Sequence, residues 1–425
     1  MFKYIKIFVK TLGCNINSLE SEKIFNFIKY FKIKKKDFFF NCNLLILNSC
    51  VIRKNPEMKI FKELKKWSFV KKYKKNIIFL TGCLVEFENF EKFKFIKIDI
   101  LFNNICNIYI NKLLIFFIKN KKKIFFIKKK INYFVKNKIN NYFLIMKGCN
   151  HNCSYCIIPQ IKGKEYYFPF KYIVYNIIKN IKKKFCEITL LGQNVNSYVY
   201  KKKDFNSLIF NISKIKNIKR ISFLSSNIKD FKKNFFFLYK NIKKISNHFH
   251  LPIQSGSNKI LRKMNRKYNL LEYLFFVKKI KKIKKITISS DIIISFPEEN
   301  YNDFDNSLKI IKKINFLDIY FFSYSKRINT ISYNFKNNCN INKFKLFLFQ
   351  KFLLKNKYSL INKKERVLVI GYIKNNIFIG KMDNFKLVFF EFYNYKIIGT
   401  FIIVKIIKNK KNFFLGIYEN TYLFL

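Results

Sequence analysis

The sequence predicts an α/β protein in three parts: an N-terminal open parallel-sheet domain, a central partial (β/α) barrel, and a small C-terminal all-β barrel. Three observations predict it. Strand-like apolar runs alternate with amphipathic runs of helical period over residues 1–118 and again over 141–345. A lysine-rich stretch at 119–140 separates those two regions and reads as a basic linker with strand fragments. From residue 363 to 425 the pattern changes to short, closely spaced strands.

In the first region, Tyr4 to Val9 is a short strand that runs on to Thr11-Leu12-Gly13-Cys14. Ser18 to Phe31 has a helical period, with Ile24, Phe25, Ile28 and Phe31 on one face and Ser18 as the expected cap. Asn43 to Asn48 is a buried-type strand entering Cys50, and Asn76 to Leu80 is another entering Gly82-Cys83. In the central region the expected strands are Tyr142 to Met146, Glu187 to Leu191, Arg220 to Leu224, Ile286 to Ile294 and Leu317 to Tyr320. Phe170 to Ile181 and Leu271 to Ile283 are expected helices between them. In the tail, the strands are 366–370, 377–379, 387–390 and 400–404, with turn signals at Gly371, Asn375-Asn376 and Asp383-Asn384.

The chain of 425 residues is long enough for two or three cores, and half its residues are apolar, which excludes a disordered tail. No apolar run approaches the roughly 18 residues of a membrane span, and the first residues lack a signal-peptide pattern. A soluble cytoplasmic chain without a membrane segment is expected. The net charge of +62 is extreme. Lys, Ile, Asn, Phe and Tyr are inflated together, as in AT-rich coding sequence, so drift onto tolerant surface explains most of the charge and polyanion contact a minor share. Ten cysteines in such a chain point to metal or redox sites rather than disulfides. With three histidines, His151, His248 and His250, chemistry needing several imidazoles is not expected.

The strongest signal is Cys149, Cys153 and Cys156, spaced C-x3-C-x2-C on one loop after a strand. Three thiolates are one short of a closed four-cysteine site, so an iron–sulfur cube held there keeps one iron open. Zinc, with His151 as fourth ligand, is the alternative. Cys14, Cys50 and Cys83 each follow a strand end. In a parallel sheet those loops share one edge, so the three converge on a second cluster unless they are simply small buried apolar residues.

The flanking residues carry a resemblance. The cysteine loop resembles the radical S-adenosylmethionine (SAM) superfamily. Thr11-Leu12-Gly13-Cys14-Asn15, Asn48-Ser49-Cys50-Val51-Ile52-Arg53 and Thr81-Gly82-Cys83 resemble the methylthiotransferases within it. Leu191-Gly192-Gln193-Asn194-Val195-Asn196, His250-Leu251-Pro252-Ile253-Gln254-Ser255-Gly256-Ser257 and Ser289-Ser290-Asp291-Ile292 are similar to the branch acting on N6-isopentenylated adenosine in tRNA. The resemblance implies two 4Fe–4S clusters. One, on Cys149, Cys153 and Cys156, binds SAM and generates a 5′-deoxyadenosyl radical. The other, on Cys14, Cys50 and Cys83, delivers sulfur. It implies C2 of the isopentenylated adenosine at position 37, in the tRNA anticodon loop, as target. It implies a flavodoxin- or ferredoxin-like electron donor and a monomer. Tyr155, Gly192, Gln193 and Asn194 become expected cofactor contacts, each also explained by packing or turn formation. The tail resembles a TRAM domain, an RNA-binding barrel.

The chain departs from the family pattern at Lys162 and Phe168, both usually arginine. It departs at Ser226-Asn227-Ile228, usually Ser-His-Pro. Ser295-Phe296-Pro297-Glu298-Glu299-Asn300 lacks two usual glycines, which is expected to alter a tight turn, and Arg327-Ile328-Asn329-Thr330 lacks a third. Two other readings stand beside the main one: a methylthiotransferase for threonylcarbamoyladenosine, and a non-catalytic iron–sulfur RNA-binding protein.

Overall fold

The computed structural model describes residues 5–28, 33–35, 38–50, 54–74, 76–87, 96–102, 124–125, 142–181, 187–336, 360–373, 376–410 and 413–419. Phe31, Val51 to Arg53, Cys106, Cys186, Cys339 and nearly all of the expected linker lie outside these. The chain divides into two compact units, Met1–Tyr142 with Gln160–Gly163, and Phe143–Pro159 with Lys164–Leu425.

The first unit is a six-stranded sheet. Its strands are β1 (Ile5–Thr11), β2 (Ile33–Lys35), β3 (Leu44–Ser49), β4 (Ile77–Gly82), β5 (Ile100–Phe102) and β6 (Ile124–Phe125), in the order β2-β1-β3-β4-β5-β6. Every neighbouring pair is parallel. β3 is buried along its whole length, which is why its sequence is a continuous apolar run rather than an alternation. The first helix begins at Asn15, not after Ser18. Ser18 N–H donates to the Cys14 carbonyl at 3.1 Å, so Ser18 sits inside the first turn and cannot cap it.

In the second unit, β7 (Tyr142–Leu144) leads to an antiparallel pair, β8 (Met146–Lys147) with β9 (Tyr166–Tyr167), that closes the base of the cysteine loop. β10 (Glu187–Leu191) follows, then a small ribbon of β11 (Val199–Tyr200) and β12 (Lys203–Asp204). The remaining central strands are β13 (Arg220–Phe223), β14 (His248–His250), β15 (Thr287–Ile294) and β16 (Asp318–Ser323). Two sheets, β13-β10-β7 and β14-β15-β16, are bridged in parallel at Ile221 and Ile245. The six strands therefore stand side by side in chain order, as a partial barrel does. Phe223 and Phe249 point to the outer face, where Phe205 and Phe235 of the connecting helices pack at ring distances of 5.2–6.3 Å. The inner face is polar: Glu187, Arg220, Ser222, His248, His250, Ser289 and Asp291 alternate with the outer apolar set. A closed barrel fills this space with branched aliphatics.

The tail forms a closed five-stranded barrel of β17 (Lys364–Tyr372), β18 (Ile377–Met382), β19 (Leu387–Glu391), β20 (Phe401–Asn409) and β21 (Phe413–Tyr418), in the order β17-β18-β19-β21-β20. Sequence patterning indicates four of these. β21 closes the barrel by pairing with both β19 and β20. Val367, Val369, Phe378, Val388 and Val404 are among its core.

The turn between β18 and β19 meets the starts of the central strands. Arg220 bonds Glu187 Oε1 at 3.0 Å, Asp383 Oδ1 at 2.7 Å and the Lys381 carbonyl at 3.1 Å. Lys381 Nζ reaches Glu187 Oε2 at 3.0 Å, Lys386 pairs with Asp318, and Phe385 stands edge-on to His248. Burial opposes ionisation of Glu187, but Arg220 and Lys381 outweigh it and hold the carboxyl below its ordinary range. The second unit thus joins central strands and tail through buried, mutually compensated charge.

Three positions at which the family pattern has glycine are left-handed in this chain. Ser295, Glu298 and Asn329 have φ of 56°, 64° and 64°, so the left-handed turns persist on residues with side chains. Each costs about 1–2 kcal/mol, least for Asn. Ser295→Gly should therefore raise the melting temperature by roughly 2–4 °C and Asn329→Gly by less, read by calorimetry. Ser295→Gly also removes a buried hydroxyl with no partner. Acid should weaken the tail's attachment: a depressed Glu187 stabilises above its ordinary value of 4.5 and loses that contribution as pH falls through the lowered one. Protection of β18 amides in hydrogen exchange should fall over that window, and Arg220→Met should shift the fall to higher pH, because the carboxyl loses its larger counter-charge.

Candidate metal centre

In the first unit, parallel register aligns three strand ends. Thr11 pairs with Asn48, Asn48 with Thr81 and Ser49 with Gly82. Cys14, Cys50 and Cys83 follow these within one to three residues. A buried polar network pins the loops. Asn17 Nδ2 donates to Asn48 Oδ1 at 3.2 Å and to the Ser49 carbonyl at 3.0 Å. Asn48 Nδ2 returns to the Asn17 carbonyl at 2.8 Å and to Ser21 Oγ at 3.0 Å. Ser49 Oγ donates to the Thr81 carbonyl at 2.5 Å, and the Cys14 thiol lies 3.2 Å from Asn17 Oδ1. Two glycines permit the close approach. A Cβ on Gly82, at φ +98°, would lie 2.3 Å from the Ser49 carbonyl, and one on Gly13 would lie 2.8 Å from Cys50 Cβ. The structure brings the Cys14 and Cys50 loops, and the Cys50 and Cys83 strand ends, side by side. Cys50 and Cys83 are buried and Cys14 is exposed.

In the second unit, the loop with Cys149, Cys153 and Cys156 follows β8 and is held by the turn after the Asn258–Lys263 helix. Ser154 N–H donates to the Met264 carbonyl at 3.0 Å and Ser154 Oγ to the Lys263 carbonyl at 2.7 Å. Asn265 Nδ2 donates to the Asn152 carbonyl at 2.7 Å. Arg266, absent from the expectations, donates to Cys153 Sγ at 3.5 Å and is fixed by the Tyr268 hydroxyl at 2.9 Å. All three thiols are partly exposed, and burial pushes Cys149 up to about 11 and Cys156 to about 12. Thiols so disfavoured as free thiolates ionise when a metal supplies the missing positive charge. His151 Nε2 is engaged by Asp230 Oδ2 at 2.7 Å, away from the role of a fourth ligand. Among the described residues, no three His, Cys, Asp or Glu side chains are gathered tightly enough to hold a single metal ion. In a cube each thiolate binds its own iron, so the sulfurs stand farther apart than around one ion.

Buried polar atoms without partners mark the carboxyl ends of the central strands: Gln193 Oε1 and Asn194 Oδ1 after β10, Ser226 Oγ after β13, and Ser295 Oγ after β15. Such orphaned atoms in a native fold call for a ligand or ordered water. Gly192 abuts Met146, where a Cβ would come within 2.6 Å of the side chain. Asn194 Nδ2 donates to Asp230 Oδ2 at 2.6 Å, so Asp230 ties the cysteine loop, through His151, to the turn after β10. Tyr155 packs on Ile260, Met264 and Phe296, which favours the packing role. Of the departures, Phe168 is buried against Tyr166 and Tyr172, and Asn227 contacts His151 at 3.3 Å. Asp230 and Arg266 carried no motif signal in isolation; only their charge beside the loop shows in the fold.

Comparison with known proteins agrees with this arrangement. Residues 143–311 match the Radical SAM superfamily and residues 6–103 match Uncharacterized protein family UPF0004. Relatives named tRNA-2-methylthio-N(6)-dimethylallyladenosine synthase include one from Buchnera aphidicola subsp. Cinara cedri, 40% identical over 96% of this chain and 100% of its own. Another, from Pelagibacter ubique, is 34% identical over 97% of each chain. A third, from Clostridium tetani, is 33% identical over 94% of this chain and 93% of its own. Among solved structures, the radical S-adenosylmethionine methyltransferase TsrM from Kitasatospora setae, with cobalamin and a [4Fe-4S] cluster bound, is similar in fold. Its TM-score is 0.55 at 9% identity, over 77% of each chain. The cobalamin-dependent S-adenosylmethionine radical enzyme OxsB aligns with TM-score 0.51 at 11% identity, over 83% of this chain and 56% of its own.

Gly82→Ala should dislocate Cys83 from Cys50, because the added Cβ meets backbone rather than a yielding side chain. Faster amide exchange in β3 and β4, with exchange in β15 unchanged, is the expected outcome. Asn17→Ala should act in the same direction, by removing the donor to Asn48 Oδ1 and the Ser49 carbonyl at about 1–3 kcal/mol.

Proposed function

The chain belongs to the tRNA-2-methylthio-N(6)-dimethylallyladenosine synthases of the radical SAM superfamily, and we propose that it performs their reaction with the two cysteine sets described above. It is an enzyme that methylthiolates C2 of N6-isopentenyladenosine at position 37 of tRNA. The observation that carries this reading is the three-cysteine loop, which follows β8, in a chain matching these relatives along nearly its whole length.

Cys149, Cys153 and Cys156 would hold a 4Fe–4S cluster that binds SAM, and Cys14, Cys50 and Cys83 would hold the auxiliary cluster. Bound there, these groups supply one-electron cleavage of the sulfonium, hence a 5′-deoxyadenosyl radical, and the sulfur to be transferred. C2–H of adenine is not acidic, so the side chains have no proton to abstract there. Their work is to bind, orient and shield. Arg266 places a cation against Cys153 and offsets the negative charge gathered on the loop. Gln193 Oε1 and Asn194 Oδ1 offer acceptors for N–H groups of the cofactor, and Gly192 keeps the turn low beneath it. Asp230 holds His151 and Asn194 in one frame, so loop and turn keep their spacing.

The tail barrel is the RNA-binding, TRAM-like part in this reading. Exposed Tyr393 and Tyr395 stand near exposed Lys396 in sequence, and exposed Tyr372 meets Tyr395 edge to face at 4.6 Å. Aromatic faces and lysines are what an unpaired RNA strand stacks on and neutralises. A flavodoxin- or ferredoxin-like donor supplies electrons, and the chain works as a cytoplasmic monomer; no helix among the described residues is long and apolar enough to cross a membrane.

Expression in a host lacking its own enzyme, followed by mass spectrometry of tRNA nucleosides, should show the 2-methylthio product. Anaerobically reconstituted protein should hold about eight iron atoms, four per cube. The Cys149→Ala/Cys153→Ala/Cys156→Ala variant should keep about half the iron and cleave no SAM. Soluble, iron-loaded wild-type protein that yields no product would overturn the assignment.

A further inference from the structure

Five side chains on the inner face of the partial barrel form one hydrogen-bonded ladder. Thr287 Oγ1 lies 2.8 Å from His248 Nδ1, and His248 Nε2 lies 3.0 Å from Ser289 Oγ. Ser289 Oγ lies 2.9 Å from His250 Nδ1, and His250 Nε2 lies 3.3 Å from Asp291 Oδ2. Parallel register builds it, pairing His248 with Thr287 and His250 with Ser289. A carboxylate only accepts, so His250 Nε2–H donates to Asp291, and in the neutral imidazole Nδ1 accepts from the Ser289 hydroxyl. Ser289 then accepts from His248 Nε2–H, and His248 Nδ1 accepts from Thr287. Burial pushes His248 down to about 3, in keeping with this neutral imidazole.

Every donor in the ladder therefore points the same way, and the ladder ends on a carboxylate whose second oxygen, Oδ1, has no partner among the described residues. The Asp291 side chain is 23% exposed, and Tyr320, in register beside it on β16, is 48% exposed. A rigidly backed acceptor and an aromatic face stand in register on β15 and β16, and the orphaned Ser295 Oγ follows β15.

We propose that Asp291 accepts the remaining N6–H of the target adenine while Tyr320 offers its ring as a stacking surface, so that C2 rather than C8 is turned to the radical. This rests on the function proposed above. N6-isopentenyladenine retains one N6–H, and stacking alone leaves the base free to rotate in its plane. One hydrogen bond from a fixed acceptor removes that freedom. A site built to bond an N–H also rejects a base that lacks it, because the buried acceptor is left unpaired.

The test uses full-length, cluster-reconstituted enzyme and two anticodon stem-loop RNAs, one with N6-isopentenyladenosine and one with the 6-O-isopentenyl ether, which has no N–H. Wild-type enzyme should lose about 10–100-fold in kcat/KM on the ether, as expected for a hydrogen bond to a charged group. Asp291→Ala should be slow on the native RNA and should not discriminate between the two. Its SAM cleavage without RNA should equal the wild-type rate. Equal wild-type kcat/KM on both RNAs overturns the proposal without recourse to any variant. So does an equal loss on the ether in variant and wild type, or loss of RNA-independent SAM cleavage, which would assign the carboxylate to the cofactor's ammonium. Failure of wild-type enzyme on the native stem-loop would refute the functional reading instead.

Discussion

Parallel strands that start together also end together, and this one constraint organises both units. In the first, it delivers Thr11, Asn48 and Thr81 to one edge, so that three short loops cannot avoid one another. The Asn17–Asn48 exchange then turns proximity into fixed spacing, because each amide satisfies groups the other loop would leave unpaired. In the second unit the same constraint places the cysteine loop and four orphaned acceptors at one end, and Glu187, Arg220 and Asp318 at the other. Chemistry and anchorage occupy opposite ends of the same strands.

Much of this is legible in the chain. The cysteine spacing stands out against any background, and buried strands such as Leu44–Ser49 are apolar throughout. Other features stay hidden because they are made between elements. β14 is His-Phe-His, which has no apolar run, and it is a strand only because β15 lies beside it. The Thr-Ile-Ser-Ser-Asp-Ile stretch of β15 reads as a half-exposed edge, yet its polar side faces a lumen. Arg266 and Asp230 are ordinary charges in sequence, and β21 becomes evident only when a barrel needs closing. The two histidines of the ladder meet only across strands, through Ser289, which no spacing in the sequence announces.

A chain with 24 acidic residues against 86 basic ones reveals where a carboxylate is indispensable. Asp204, Glu272 and Asp303 take part in capping helices. Glu187 and Asp383 neutralise a buried arginine, Asp230 joins two loops, and Asp291 ends the ladder. Replacing such groups strands a partner in low dielectric, whereas an exposed lysine can be gained at almost no cost. The lopsided charge is thus compatible with an ordered interior.

The left-handed turns at Ser295, Glu298 and Asn329 carry a different lesson. Their shape is imposed from outside the turn, by strand β15 on one side and by packing around Phe296 on the other. Relative to the family's glycine pattern, residues with side chains hold these positions in a geometry that glycine adopts more readily. Each such residue carries a cost in folding free energy, on the order of 1–2 kcal/mol, within a total that for most proteins is only about 5–15 kcal/mol. The surrounding packing must therefore supply stability that glycine at these positions would not have required.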